Sequence, residues 1–569
     1  VELLNIPSIS KGITENWIIE GNPKSAIGLS LVALIIVFAL ILFEKFSRKE
    51  TKRWSENPAS LDSLGWELKG NRSNLAVLVT LLPPFFSLGV PFSWFLLNIF
   101  QLKKGFSIEL LSLTFRTIGL GIITALITLI FSTISTLAFA TLPKISFAQS
   151  NPDVVVIGAG SSGLSATAEL MQKGVSVLCV EAMNRTGGRC YADTSTFGIP
   201  IDIGAHWLHG FSENQFAKFG KKHKDKFKIY PEDAPSVVYD GKRKTEATEL
   251  WKIYKQLKRI KRRSRADVPF ITLVPEKIKK NTWFDTAASM VGDSRDLDNF
   301  SPHDNNVNWY DPGTGDGLCR EGYGSLLAYY RKDVPVKLNT IVSEIKWDGK
   351  GVQVVTNKGT ISAKACIVTT SIGVLKAEKI KFTPPLPVRK IKALDGVSMT
   401  YSNRVLIQLN KKFYNAKKIK NDTWFNTKCN SNGAKSPKTY YGSLKMGGSD
   451  VSLFGMSGQF AKDIGEEGDN AMIDFILNDL KSTFGSKFYK KYFIKAKAIA
   501  WSKNPLTLGA YSGGIPGKSN NLRRELRMPV GDRIFFAGEA TALAFSTVHG
   551  ADRSGKRAAT EVYTSPVLK

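Results

Sequence analysis

Residues 153–189 read DVVVIGAGSSGLSATAELMQKGVSVLCVEAMNRTGGR. An apolar run of strand type comes first, and the glycines Gly158, Gly160 and Gly163 then open a helical pattern. A second apolar run ends on the acid Glu181. The glycines allow a tight turn and a close approach to a pyrophosphate, the helix N-terminus offers unpaired N–H groups, and the acid accepts hydrogen bonds from a ribose. The stretch therefore predicts a β-α-β unit that binds a dinucleotide.

The end of this stretch narrows the kind of dinucleotide. Ala182 follows the acid, and Arg185, Gly188 and Arg189 complete an ExxxRxGGR pattern. A second glycine pair flanked by arginines suits further contacts with a diphosphate. The pattern resembles the flavin amine oxidase superfamily, and it also occurs in carotenoid desaturases and protoporphyrinogen oxidases. By itself the resemblance implies FAD and does not select an amine as the substrate.

Composition bounds the class of protein. The 569 residues suffice for two or more domains, and the formal net charge is +29. Residues 1–150 contain 13 Lys and Arg against 9 Asp and Glu, so the rest contains 65 against 40 and carries +25. This excess fits an anionic membrane surface, a nucleic acid or solubility alone. Because the sequence shows no nucleic-acid-binding fold signature, we expect no nucleic-acid partner. The five cysteines are odd in number and lack a CxxC pair, which predicts neither a disulfide framework nor a metal site.

Residues 1–150 have the pattern of a membrane region. Apolar runs at residues 25–43, 74–100 and 118–142 are each long enough to cross a bilayer, which predicts a multi-pass anchor with three spans. The loop 44–72 contains seven Lys and Arg, and the positive-inside rule then places both this loop and the remaining domain in the cytoplasm. The alternative is export, because the third run and the small residues after it also resemble a secretory signal.

The remainder of the chain alternates strand and helix patterns, which predicts an α/β fold. We expect a discontinuous, Rossmann-like FAD-binding domain in three parts, residues 152–210, 321–385 and 501–569. An α+β substrate domain is expected in two parts, residues 211–320 and 386–500. A basic, amphipathic helix is predicted over residues 250–265, either as a solvated face or as a contact with a membrane surface.

The segment DIGAHWLHG, residues 202–210, resembles the polyamine oxidases. In that subfamily a small pair, matched here by Gly204 and Ala205, lets the backbone pass close to the flavin ring. Trp207 and His209 stand where the subfamily has a Trp and a His. The resemblance implies an active-site role for His209, whereas a lone histidine would be interpreted as a hydrogen-bonded core residue.

Two segments in the middle of the chain extend the resemblance. The sequence EGYGS is followed by a predicted strand, and Val342 then matches the valine that touches the adenine in the family. Residues 367–387 match a family run that ends in PPLP. With the segments described below, the resemblance covers about residues 152–565.

The C-terminal segment FFAGEATALAFSTVHGA, residues 535–551, is another match. Glu539 matches the family glutamate on the ribityl side of the flavin. Thr547 and Val548 match the start of a helix that is aimed at the pyrimidine edge. A helix N-terminus in that place would stabilise negative charge on a reduced flavin.

The segment WSKNPLTLGAY, residues 501–511, matches the part of the family that faces the flavin ring. Tyr511 matches one wall of an aromatic cage, and Ala510 stands where monoamine oxidases attach the flavin through a cysteine, so FAD is expected to be non-covalent. Arg404 stands near the position of a family lysine that reaches flavin N5. Unlike lysine, arginine does not lose its proton. Alternatively, the alignment slips by one residue and Arg404 lies on the outer side of its sheet.

These residues predict a membrane-anchored FAD-dependent amine oxidase. It would oxidise a C–N bond of a polyamine-like amine by hydride transfer to flavin N5, with O2 reduced to H2O2. Two alternatives stay open. One is an L-amino-acid oxidase, and the other is a membrane-tethered flavoprotein without amine turnover, either a structural subunit or an electron carrier that passes electrons to a quinone. The predicted catalytic residues are His209, Arg404 and Tyr511. The predicted FAD contacts are Gly158, Gly160, Ser162, Gly163, Glu181, Ala182, Arg185, Gly188, Arg189, Gly204, Ala205, His206, Trp207, Val342, Trp501, Gly538, Glu539, Thr547 and Val548.

Overall fold

The computed structural model describes residues 151–429 and 436–569. The three predicted membrane spans lie outside these described residues. Among the helices that are described, none is long and apolar enough to cross a membrane. All five cysteines belong to the described part, and each is a free thiol.

The helices and strands are numbered in chain order. The strands are β1 Val154–Ile157, β2 Val177–Val180, β3 Ala192–Asp193, β4 Ile201–Asp202, β5 Ile229–Pro231, β6 Ser236–Asp240, β7 Arg243–Thr245, β8 Gly317–Cys319, β9 Val336–Lys337, β10 Val342–Lys346, β11 Val352–Thr356, β12 Gly359–Ala363, β13 Ala365–Val368, β14 Lys381–Thr383, β15 Val397–Met399, β16 Ser402–Leu409, β17 Thr423–Thr427, β18 Tyr440–Leu444, β19 Val451–Ser457, β20 Phe493–Ile499, β21 Ser512–Gly514 and β22 Ile534–Phe536. The α-helices are α1 Ser161–Gln172, α2 Gln215–Lys222, α3 Thr248–Arg263, α4 Glu276–Lys279, α5 Phe284–Val291, α6 Tyr323–Tyr330, α7 Ile372–Lys376, α8 Val388–Asp395, α9 Lys411–Ala416, α10 Gly458–Glu467, α11 Asp469–Phe484, α12 Phe488–Tyr492, α13 Leu522–Arg527 and α14 Val548–Thr564. Short 3₁₀ helices are found at Phe270–Leu273, Leu297–Asn299, Met446–Gly448 and Glu539–Thr541, and a π-helix at Asp304–Asn308.

A five-stranded sheet lies beneath the glycine turn. Its order is β22-β13-β1-β2-β9, and all of its pairings are parallel. β1 contains only valine and isoleucine, and all four of its side chains are buried, as expected of a central parallel strand. This sheet gives the Rossmann-like α/β fold that the sequence predicts.

Helices α1 and α14 pack together on this sheet. Leu164 and Leu170 of α1 share one buried apolar cluster with Ala558 of α14 and with the strands. Gly555 allows the two helices to approach closely, because a Cβ atom there would lie 2.1 Å from the carbonyl oxygen of Ser162. Since the sheet is parallel, the carboxyl ends of its strands meet at one edge, where α1 begins.

A seven-stranded sheet forms the second large layer, in the order β20-β16-β19-β18-β17-β6-β7. Its strand β16 carries Arg404 and pairs antiparallel with β19 and β20. Ile476 and Leu480 of α11 pack against this sheet in one cluster with Phe425 and Phe454. A smaller four-stranded sheet, β12-β11-β10-β14, carries Val342.

The predicted elements mostly occur with small differences at their ends. Strand β1 forms in the apolar run that precedes the glycine turn, as predicted. The basic helix begins at Thr248 rather than at residue 250, and its exposed face is rich in lysine and arginine. Its contact with a membrane surface stays a prediction, as do the domain boundaries.

Candidate active site

The glycine turn leaves room for a ligand at one of its three positions only. A Cβ atom on Gly163 would lie 1.8 Å from the carbonyl oxygen of Gly158, and one on Gly158 would lie 2.7 Å from Oγ1 of Thr369. These two glycines are therefore required by close packing. Gly160 differs, because apart from its chain neighbours no atom of the described residues lies within 4 Å of the place its Cβ would take. The open space there is a cradle at the start of α1.

Helix α1 presents the donors of that cradle. Its N-cap is Gly160, which offers no side-chain acceptor to the first-turn N–H groups. Ser162 is buried in this turn, and the hydroxyl of Ser161 donates to the carbonyl oxygen of Val548 at 3.0 Å. Uncapped N–H groups and the helix dipole fit a diphosphate. The start of α14 is thereby attached to the same place.

Glu181 closes the cradle from the end of β2. Its carboxylate accepts hydrogen bonds from the N–H of Ala159 at 2.6 Å and from the N–H of Met183 at 2.9 Å. A carboxylate offers about four acceptor positions, so capacity remains for ribose hydroxyls. The carbonyl of Glu181 also accepts from the N–H of Thr340 at 2.8 Å, which brings Ala182 and the start of the β10 strand with Val342 to this end of the sheet.

The two arginines of the ExxxRxGGR pattern have different partners. Arg185 donates to the carbonyl oxygen of Gly188 at 3.0 Å and lies 4.0 Å from the ring of Tyr191, so it braces its own loop. Arg189 forms an ion pair with Glu539 at 3.0 Å and donates to the carbonyl oxygen of Ala510 at 2.8 Å. The sequence predicts diphosphate contacts for both arginines, and these contacts stay predictions beside the protein partners that the structure shows.

Glu539 is held by four donors. Besides Arg189, these are the N–H of Ser512 at 3.1 Å, the hydroxyl of Ser512 at 2.7 Å and the N–H of Ser546 at 3.1 Å. The preceding Gly538 has a φ of 115°, a conformation that favours glycine. The position of this buried carboxylate is therefore set by the protein itself.

The segment with Gly204 and Ala205 runs against Arg189. The N–H of Ala205 donates to the carbonyl oxygen of Arg189 at 3.0 Å, and a Cβ on Gly204 would lie 1.9 Å from that oxygen. Trp501 packs on the same segment and donates to the carbonyl oxygen of Ile203 at 2.9 Å. These contacts explain why only small residues fit here.

Arg404 points inward, toward this segment. Its side chain is buried, and Nη1 donates to the carbonyl oxygen of Gly204. The alternative that Arg404 lies on the outer side of its sheet is therefore wrong, whereas its match to the family lysine stays a prediction. Within the described residues Arg404 forms no ion pair with a carboxylate, and its partners are the carbonyl oxygen of Gly204 and the Trp207 ring.

His206 has one partnered and one unpartnered nitrogen. Nδ1 lies 3.3 Å from Asp202, whose carboxylate also accepts from the N–H groups of Tyr323 at 2.8 Å and Gly324 at 2.9 Å. Nε2 is buried and has no hydrogen-bond partner within the described part of the chain. A buried, unpartnered acceptor or donor marks a place where a ligand or water belongs.

An aromatic wall follows, defined by Trp207, Trp424 and Tyr441. The rings of Trp207 and Trp424 are parallel within 6° at 5.9 Å between centroids, and Tyr441 lies 6.0 Å from Trp207. The guanidinium of Arg404 lies 5.9 Å from the Trp207 ring. The indole N–H of Trp207 donates to Glu232 at 2.7 Å.

His209 stands beside this wall and forms a pair with Asp316. Nδ1 lies 2.8 Å from the carboxylate, and both side chains are about two-fifths exposed, at 41% and 43%. Loss of hydration would lower the pKa of His209, but the hydrogen bond and charge of Asp316 outweigh it and raise this pKa. Burial raises the pKa of Glu232, and the Trp207 N–H opposes that rise.

Tyr511 and the start of α14 complete the site. The Tyr511 hydroxyl donates to Oγ of Ser294 at 2.7 Å, and burial raises the Tyr511 pKa. Thr547 is the N-cap of α14, since its hydroxyl accepts from the N–H of Gly550 at 3.0 Å. Val548 then begins the helix as predicted.

Sequence reasoning missed several residues of the site. Four of them lie outside the motifs: Glu232, Asp316, Trp424 and Tyr441. The fifth, Asp202, is the first residue of the motif at residues 202–210, but no role was predicted for it. The signal for Asp202 was an acid at the end of an apolar strand that precedes the glycine. The other four come from separate segments, and their meeting depends on the tertiary fold.

These residues fit FAD. The open cradle over Gly160 suits a diphosphate, Glu181 has acceptor capacity for a ribose, and the unpartnered Nε2 of His206 lies beside the Gly204 segment. Within the described residues no group of three or more metal-ligating side chains occurs.

Comparisons with known proteins agree with this geometry. The family model described as "Flavin containing amine oxidoreductase" matches residues 284–563, and "NAD(P)-binding Rossmann-like domain" matches residues 156–220. The chain is 29% identical to Polyamine oxidase 4 of Oryza sativa subsp. japonica over 460 residues, which are 72% of this chain and 88% of that protein. It is 28% identical to Polyamine oxidase 2 of Arabidopsis thaliana over 459 residues, 72% of this chain and 87% of that protein. The structure of a putrescine oxidase bound to putrescine has the same fold, with a TM-score of 0.56 at 20% identity, over 72% of this chain and 99% of that one.

Proposed function

Because the chain belongs to the flavin-containing amine oxidase superfamily and is an FAD-dependent amine oxidase, we propose that its substrate is a cationic, polyamine-like amine. The observation that carries this proposal is the pair of carboxylates Glu232 and Asp316 beside the aromatic wall. Within the described residues neither carboxylate forms an ion pair with Lys or Arg. Their two negative charges lie beside the aromatic wall in a part of the chain, residues 151–569, that carries +25 overall, and they attract ammonium groups against the positive charge of Arg404.

The aromatic wall would serve two steps of binding. A protonated alkylamine has a pKa of about 10, and only its neutral form has the lone pair that assists oxidation of the adjacent carbon. Rings such as Trp207, Trp424 and Tyr441 exclude water from the reacting nitrogen and so lower its pKa. The same rings attract a second ammonium group through cation–π contacts, which favours a substrate with more than one amine.

His209 is proposed to take the proton from the bound ammonium. The carboxylate of Asp316 accepts from Nδ1–H, which leaves the Nε2 lone pair as the proton acceptor. Because Asp316 raises the pKa of His209, the imidazole is a stronger base at neutral pH. The N-terminus of α14, capped by Thr547, adds partial positive charge near the start of that helix.

FAD, when bound, accepts the two electrons and the hydrogen that leave the C–N unit. In the net reaction the substrate amine, O2 and water give a carbonyl compound, a product amine and H2O2. The C–N bond of the substrate breaks, and O2 is reduced. The test is a peroxide assay of the purified full chain with spermine, spermidine and putrescine. Peroxide from these polyamines supports the proposal, and its absence with every polyamine while L-amino acids give peroxide contradicts it.

A second candidate function is oxidation of an L-amino acid. The specific observation in its favour is Arg404, a buried guanidinium that donates to the carbonyl oxygen of Gly204 and not to a carboxylate. Such a cation would bind a substrate carboxylate. Under this alternative L-amino acids reduce the flavin, and Arg404→Met abolishes that reduction without slowing reduction by polyamines.

We also propose that residues 1–150 tether the oxidase to a membrane. The support is the three apolar runs in the sequence, at residues 25–43, 74–100 and 118–142. Placement of the oxidase domain on the cytoplasmic side follows from the basic loop 44–72. Retention of the full chain in membranes after alkaline carbonate extraction, and protection of the domain from protease in sealed vesicles, would support the proposal. Release by carbonate would contradict the tether. The electron acceptor of the reduced flavin is a separate question, and O2 and a membrane quinone are the two acceptors whose reaction with it should be compared.

A further inference from the structure

A buried ion pair joins Arg523 of α13 to Asp304, the first residue of the π-helix. Nε of Arg523 lies 3.2 Å from Oδ1 and Nη2 lies 2.7 Å from Oδ2. The side chains are 2% and 0% exposed. Two parallel hydrogen bonds fix the direction of the guanidinium as well as its distance. The pair connects two segments that are more than two hundred residues apart in sequence.

The other side of the same guanidinium reaches the carboxylate of Glu539. Nη1 of Arg523 donates to Oγ of Ser512 at 2.7 Å and to the carbonyl oxygen of Ala540 at 3.1 Å. The Ser512 hydroxyl in turn donates to Glu539 at 2.7 Å. Glu539 then pairs with Arg189. These contacts thus form one continuous series, which we term the buried charge chain: Asp304, Arg523, Ser512, Glu539 and Arg189.

The buried charge chain contacts strand β21 at both of its ends. Its first residue is Ser512, and its last residue, Gly514, donates to Asp304 through its N–H at 2.6 Å. Arg295 fills the space beside the middle residue of β21, because its Nη1 would lie 2.3 Å from a Cβ atom placed on Gly513. Tyr511 directly precedes this strand. A shift of β21 would therefore move the predicted cage tyrosine.

Arginine is required at this position by its geometry. The guanidinium donates to four acceptors: two on Asp304, one on Ser512 and one on Ala540. Its face lies 3.8 Å from the centroid of the Phe545 ring. Lysine carries the same charge but has neither the planar fork nor a face to stack. The interaction depends on shape and not on charge alone.

We propose that Arg523 is a positioning residue that holds Glu539 and β21 in the arrangement that FAD and substrate require. It acts through Ser512, not by contact with the reacting atoms. The inference rests on the proposed function only where it concerns Tyr511 and the amine, since FAD dependence belongs to the family. Loss of Arg523 leaves Asp304 buried without its cation and Ser512 without its donor, so that the carboxylate of Glu539 shifts.

The test is titration of the full-length apoprotein with FAD. In Arg523→Lys and Arg523→Met we expect the Kd for FAD to rise about tenfold, with a changed visible circular dichroism of the bound flavin. The matched control is Arg524→Met, on the same helix with an exposed side chain, which should keep both wild-type values. If Arg523→Met does not fold, Arg523→Lys carries the measurement. A wild-type Kd and flavin spectrum in Arg523→Lys would overturn the proposal.

A double variant separates positioning from general stability. Replacing both partners of a buried ion pair with apolar groups often restores stability, so Asp304→Leu combined with Arg523→Met should recover part of the Tm, the remainder being lost with the acceptor of the Gly514 N–H. We expect its Kd for FAD, and the KM for a polyamine, to stay raised while kcat changes less. Recovery of the FAD Kd along with the Tm would overturn the proposal. FAD binding requires no amine turnover, so an unsuitable amine substrate leaves this test intact.

Discussion

The carboxylate of Glu181 accepts a hydrogen bond from the backbone N–H of Ala159 across 2.6 Å. The acid at the end of β2 thereby fixes the middle of the glycine turn, in addition to offering acceptors to a ribose. Two functions of the dinucleotide motif, turn geometry and ribose recognition, thus depend on one side chain.

Glu181→Ala is therefore expected to weaken FAD binding by about tenfold, or about 1.4 kcal/mol, because both the turn and the ribose lose an acceptor. The measurement is titration of apoprotein with FAD. The control is Glu169→Gln, because Glu169 is an acid of α1 that pairs with Lys173. This variant should keep the wild-type Kd. Full flavin occupancy of Glu181→Ala at limiting FAD would refute the assignment.

Arg404→Lys is expected to raise the rate of flavin reduction and to make it more dependent on pH. A permanent guanidinium beside Gly204 repels an incoming ammonium and cannot release a proton, whereas a buried lysine can. Stopped-flow reduction by spermine across a pH series provides the measurement. An unchanged rate and pH profile would mean that Arg404 does not act on the reacting atoms.

Asp316→Asn is expected to lower the pKa of His209 and to raise the KM for cationic amines. Asp316 raises the His209 pKa in the wild type, so its removal moves the basic group of the kcat/KM profile to lower pH. Asp333→Asn, an exposed acid elsewhere, serves as the control. A profile that does not move would exclude His209 as the group that titrates.

Asp311→Asn is expected to reduce stability at neutral pH by about 2 kcal/mol. Burial alone would raise the Asp311 pKa, but bonds from His549, Gly313 and Arg553 lower it from 3.8 to about 2. The folded pKa is below the unfolded one, so the stabilisation is present above pH 3.8 and is lost as the pH falls through about 2. Urea unfolding at several pH values should show a shallower acid dependence for the variant. Equal slopes for both proteins would contradict this linkage.

Much of the fold follows from local patterns. The valine-rich strand β1 depends on residues close in sequence, and it forms in the predicted apolar run. The glycine turn and Glu181 also lie near each other in the chain. The motifs therefore predicted the FAD edge of the molecule, although the FAD contacts of the individual residues stay predictions.

The amine side of the site could not be predicted in the same way. Glu232 and Asp316 come from separate segments and meet at the aromatic wall only after β5 and β8 pair. The partner of Arg189 is likewise distant, because Glu539 lies 350 residues away. The net charge of residues 151–569 is strongly positive and therefore does not indicate a cationic substrate. The acids that lie together at the site are brought there only by the tertiary fold.

The most direct test of the account is anaerobic addition of spermine to the purified flavoprotein, followed at the main flavin absorption band. The account predicts that the flavin bleaches with spermine, that Glu232→Gln combined with Asp316→Asn raises the spermine concentration needed for half the maximal rate, and that O2 then restores the colour with release of H2O2. A flavin that stays oxidised with every polyamine, yet is reduced by dithionite, would contradict it.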